Sequence, residues 1–199
     1  MVRTIRGAAA ALAVCAVVSA CGVGQNDDQV TTTSPAAIEE SGNPWDLPIE
    51  QRPPLFDPCA EIPIEAVEEG VGGPVEPSEQ LRNHRPGELF SCAWKNDEVL
   101  FGVVGTWRSK QEFLDDTGLV EINPTARIEN RVGLRARDRG DESSTTCYHV
   151  LFTDRGAVIL NVNLVGSLSS FRGAVLEDAC EVSEHVSSSV LEYLPGGEL

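Results

Sequence analysis

The sequence is short of positive charge. Its 199 residues carry 15 lysines and arginines against 31 aspartates and glutamates, a formal net charge of -16. That balance excludes electrostatic attraction to DNA, RNA or bare anionic lipid as the basis of binding. Catalytic signatures are missing too. No Cys-x-x-Cys pair or His-Glu-x-x-His helix is present to hold a metal. No Gly-x-Ser-x-Gly elbow or Ser-x-x-Lys is present for acyl transfer, and no Gly-x-x-x-x-Gly-Lys cradles a phosphate. The one Asn-x-Thr triplet, at Asn123, is ruled out as a glycosylation sequon by Pro124. No apolar run reaches the ~20 residues of a bilayer span. Hydrophobic content is nevertheless 41%, that of a globular chain.

The amino terminus reads as an address. Arg3 and Arg6 form a positive region, and Gly7 to Val18 is a short apolar run. It ends in Val18-Ser19-Ala20-Cys21-Gly22, which resembles the bacterial lipobox. The resemblance implies cleavage after Ala20 and a diacylglycerol on the Cys21 thiol. Residues 1–20 are then a lipoprotein signal peptide. Their loss removes two arginines and no acids, leaving thirteen basic against thirty-one acidic residues, or -18. The expected location is the extracytoplasmic face of the cell membrane, held there by acyl chains that include palmitate. Two such chains hold a protein where one is marginal.

Residues 21–55 are poor in aliphatics and rich in Gly, Asn, Asp, Thr, Ser and Pro, which predicts a disordered tether. Extended, it reaches roughly 100 Å at about 3.1 Å per residue. Trp45 is the exception, because a tryptophan in a linker often docks. Residues 56–199 form one globular domain. A short helix is predicted over Pro63 to Glu69, stopped by Gly70. A hairpin runs from Leu89 to Trp94 and from Val99 to Trp107. A short helix spans Lys110 to Asp116, and Ala126 to Ala136 holds one strand or two, with Gly133 as a bulge. A second hairpin joins Thr146–Thr153 to Ala157–Val165, where Val158, Leu160, Val162 and Leu164 alternate with Asn161 and Asn163. The tail is helical through Val182, Val186 and Val190 and stops at Pro195. The fold class is α+β: a mainly antiparallel sheet of two hairpins with short helices and a C-terminal helix.

Six cysteines complete the frame. Cys15 leaves with the signal and Cys21 is the lipidation site. Cys59, Cys92, Cys147 and Cys180 remain, an even number that predicts two disulfides in an exported chain. Three connectivities exist. Pairing Cys59 with Cys92 and Cys147 with Cys180 ties a helix start to a strand in each case.

The series Asp57-Pro58-Cys59, Cys92-Ala93-Trp94, Cys147 and an acidic helix at Cys180 resembles a family of actinobacterial cell-envelope lipoproteins with a domain of unknown function. The resemblance covers about residues 56–195. It implies location and fold, not chemistry. Two lysines against thirteen arginines fits a high-GC genome of that kind.

Remaining candidates are weighed singly. His84, His149 and His185 are not at metal-ligand spacing, and His149 reads as a half-buried strand residue. Arg139-Gly140-Asp141 is an adhesion triplet or, by composition, a polar turn. Glu68-Glu69 and Asp115-Asp116 lack calcium-loop periodicity. Trp94 reads as core, and Trp107 as a residue at a sheet edge that helps line a groove. The expected function is a non-enzymatic, lipid-anchored binding domain for an envelope protein or a small or lipidic ligand, without cofactor, metal or nucleic acid. The alternative is a cell-wall glycan-modifying enzyme that uses two carboxylates.

Overall fold

The computed structural model describes residues 42–166, 170–175 and 178–196. The signal segment, Cys21 and the first part of the predicted tether lie outside the described residues. Ten strands are present among them: β1 (Glu76–Pro77), β2 (Asn83–Arg85), β3 (Leu89–Lys95), β4 (Val99–Thr106), β5 (Leu119–Ile128), β6 (Arg131–Asp138), β7 (Thr146–Thr153), β8 (Gly156–Leu164), β9 (Ser170–Phe171) and β10 (Ala174–Val175). The helices are α1 (Pro58–Glu61), α2 (Ile64–Val71), α3 (Lys110–Leu114) and α4 (Ala179–Val190). The fold is α+β. The main sheet is antiparallel with order β1-β3-β4-β8-β7-β6-β5, and β2 pairs with β3. β9 and β10 form a separate hairpin.

Alternation along β4 and β8 decides which face is buried. Val99, Phe101 and Val103 on β4, and Val158, Leu160, Val162 and Leu164 on β8, turn toward α2 and α4 and form one core with Val67, Val182, Val186 and Val190. Both disulfides lie on this side. Cys59–Cys92 ties α1 to β3, and Cys147–Cys180 ties β7 to the first turn of α4, with Cα separations of 5.2 and 5.0 Å. The Asp57 and Asp178 carboxylates cap the two helix starts by accepting from the Cys59 and Cys180 amides.

β6 adds a polar strap. Arg131, Arg135 and Arg137 alternate onto the side facing α4. Arg131 donates to the Pro195 carbonyl beyond the helix end, Arg135 pairs with Glu184, and Arg137 pairs with Asp178 and with Glu121.

Several expectations change. Gly70 does not stop α2; it lies inside the helix, where a Cβ would overlap Ser189 of α4. The stop is Gly72, whose φ of 81° is the left-handed conformation glycine tolerates. Gly133 is not a bulge but a close-approach site, where a Cβ would run into the Val150 carbonyl. The bulges fall on β5, between Val120 and Ala126. β5 and β6 form a further hairpin, longer than predicted, and β2 adds a short one onto β3.

The second half of the predicted tether is structured. Pro44–Asp46 and Ile49–Gln51 form 3-10 turns. Trp45 packs edge-on against Trp107 at 5.1 Å and Phe152 at 6.0 Å, and its indole N–H donates to the Thr153 carbonyl at 2.9 Å. Arg52 lies over the other tryptophan, 4.9 Å from the Trp107 ring. Arg155 in the β7–β8 turn holds Glu61 with two bonds of 2.6 and 2.8 Å and donates to the Pro54 and Leu55 carbonyls. Trp107 is thus buried under the N-terminal segment and does not line the groove on the outer face of the sheet.

Candidate functional site

The outer face of the sheet, opposite α2 and α4, is only partly covered. Strand register builds its floor. Ala93 of β3, Gly102 of β4, Asn161 of β8 and Tyr148 of β7 are direct cross-strand neighbours. The next row is Ser91, Val104, Ile159 and Val150. Because the side-chain period is two, these are the residues left over once the alternating set has gone into the core. The first row is low at Ala93 and Gly102 and polar at Asn161 and Tyr148. The second is mostly aliphatic. Leu81, itself half exposed, stands on the β3 side. Phe113 of α3 and Leu119 of β5 stand on the other. Together they enclose a half-open groove of about 460 Å³, within the ~300–1,000 Å³ of small-molecule sites.

α3 supplies the charged end. Its start is fixed by a capping box, in which Ser109 accepts from the Glu112 amide and Glu112 reaches back to the Ser109 amide. This presents Phe113 inward and leaves Arg108 over its ring at 4.4 Å. The Arg108 Nη2 donates to Asp116 at 2.6 Å and to the Glu112 carbonyl at 2.7 Å. The Arg108 guanidinium, with help from the Gly118 amide, holds the Asp116 carboxyl below its ordinary range. Burial, then the charges of Asp138 and Asp141, push the Tyr148 hydroxyl up, so it stays protonated and able to donate. The groove therefore offers an apolar floor, neutral hydrogen-bonding groups and a self-neutralised ion pair.

The residues singled out from the sequence scatter around this groove. Cys92 and Cys147 lie behind it, each one residue before a floor residue. His149 is buried against α4, with Nδ1 3.0 Å from the Ser183 hydroxyl. Burial, then the nearby Arg135 charge, lowers it to about 4, so it is neutral. His185 is exposed on α4 and meets Phe171 edge-on. The Arg-Gly-Asp triplet is a structural turn: Asp141 accepts from the Thr146 amide at 2.6 Å and from the Thr145 and Thr146 hydroxyls at 2.9 and 2.7 Å. Burial opposes its ionisation, but the Thr146 and Thr145 hydrogen bonds outweigh it and bring Asp141 down to about 2. Among the described residues no three His, Cys, Asp or Glu side chains gather as a metal site. The floor residues themselves were missed in the sequence; only the wetter alternation at Asn161 pointed toward them.

The molecule is thus a disulfide-stapled α+β domain with a groove on one sheet face. The family model described as protein of unknown function (DUF3558) matches residues 16–193, and the chain belongs to that family. No curated protein and no solved structure matches it significantly.

Proposed function

We propose that the protein is an actinobacterial cell-envelope lipoprotein, held on the outer membrane leaflet by a diacylglycerol on Cys21, whose domain binds a small or lipidic ligand without catalysing a reaction. The groove carries this reading. It is the size of a ligand site, its floor is largely apolar, and its one ion pair is satisfied within the protein.

Two further observations support it. The family match begins at residue 16 and so takes in the lipobox together with the folded part. Glycan hydrolysis by two carboxylates needs one acid with a raised pKa. Asp116, the carboxylate that lines the groove, is instead held low by Arg108.

Native mass spectrometry of the protein extracted from its own host tests the binding role. A co-purified small molecule or lipid is the expected result. Extraction with nothing bound, combined with turnover of a wall glycan, overturns the reading. The anchor is tested separately by Cys21→Ala, which should release a folded protein from the membrane. Unchanged membrane association would refute the lipidation.

A further inference from the structure

Four glycines lie within strands among the described residues: Gly102, Gly105, Gly133 and Gly156. Three have a steric reason. A Cβ on Gly105 would strike the Phe56 carbonyl, and one on Gly133 the Val150 carbonyl. Gly156 has a φ of +102° and abuts Leu55 and the Thr106 carbonyl. Gly102 has none. An added Cβ would meet the Ala93 Cβ, the Asn161 Oδ1 and the Cys92 carbonyl, each at 3.9 Å, which is ordinary contact. Glycine inside a strand weakens it relative to alanine, and such a glycine often marks close approach by a ligand. Here the missing side chain opens the middle of the groove floor.

Resting on the binding role proposed above, we infer that Gly102 is a specificity-determining residue, kept bare to admit an uncharged amphiphile. Its hydrocarbon lies over Gly102, Val104 and Ile159, and its head hydrogen-bonds with Asn161 and Tyr148. The polar groups of the floor are an amide and a hydroxyl, both neutral. The Asn161 amide reaches only the Cys147 carbonyl, at 3.5 Å, the outer limit of a hydrogen bond. Arg108, the cation at the groove, has its charge balanced by Asp116, 2.6 Å from its Nη2, which weakens its pull on a carboxylate or phosphate head. The net charge of -16 repels anionic amphiphiles as well.

The test is titration of the full mature chain with monomyristoylglycerol and, separately, with myristate. It is read by amide NMR shifts and native mass spectrometry. The monoglyceride should give saturable shifts centred on Ala93, Gly102 and Asn161, with myristate at least about tenfold weaker. Gly102→Leu should weaken the monoglyceride by at least about tenfold while melting stays cooperative. Gly102→Ala covers the case where leucine prevents folding: its melting temperature should rise while its affinity falls. A glycine with only a structural role would leave affinity unmoved. Equal binding of myristate, unaltered affinity in folded Gly102 variants, or shifts mapping elsewhere each overturn the inference. If neither probe binds but host-extracted protein carries another ligand in the groove, the amphiphile class is wrong and the binding role stands.

Discussion

The two faces of one sheet are built by different rules. The helix face holds a continuous core from Phe56 to Leu194, both disulfides and the arginine strap of β6. The outer face holds a smaller cluster around Phe113, Leu134 and Val150, roofed by α3 and the Trp45 segment over only part of its width. Stability is concentrated on the helix side. Cys92 and Cys147 fix the backs of the two strands that flank β4 and β8, while their next residues, Ala93 and Tyr148, line the groove. A site framed by stapled strands keeps its shape without a ligand, which lowers the ordering cost of binding.

Mutations break this comparison most sharply in the core. Phe101→Ala on the helix face should cost about 3–5 kcal/mol in denaturant unfolding, because the ring is wholly buried. Val104→Ala, three residues on and on the groove face, should cost about 1 kcal/mol or less. Equal losses would mean the faces are not distinct. Replacing Cys147 and Cys180 together by alanine should remove about 3.5 kcal/mol on the chain-entropy estimate for a separation of 33 residues.

Acid sharpens the comparison further. His149 titrates near 4 when folded and near 6.5 when unfolded. Below 6.5 the unfolded chain takes up a proton that the folded one refuses. Stability should therefore fall by about 3 kcal/mol as pH drops from 6.5 to 4, and not change above that window. His149→Leu should flatten this slope in urea titrations run across that range. Asp141 acts lower down: its folded value of about 2 lies under its ordinary 3.8, so its contribution is present above 3.8 and is lost as pH falls toward 2.

The smallest effect belongs to the roof. Trp45→Ala should leave global unfolding nearly unchanged but speed proteolysis between residues 43 and 55, by loosening a locally held segment. A large fall in melting temperature would show that the segment belongs to the main cooperative unit.

The two central hairpins were readable because turn residues bracket strict alternation. The cysteine pairs were readable because each joins a helix start to a strand. β5 was not, since Glu121, Asn123, Pro124 and Thr125 belong to a bulged edge strand with no apolar period. The docking of Trp45 depends on Thr153, 108 residues away, and no local signal encodes that. The groove was illegible for a deeper reason. Ala93, Gly102, Asn161 and Tyr148 are unremarkable one at a time and become a floor only when four strands fall into register.

The fastening of residues 44–55 also has a mechanical meaning. A pull arriving from upstream is taken first by Trp45 and Arg52, and next by the Arg155 bonds to the Pro54 and Leu55 carbonyls. Only then does it reach the disulfide at Cys59. A chain pulled from its N-terminus should therefore peel this segment before the disulfide-tied sheet is loaded.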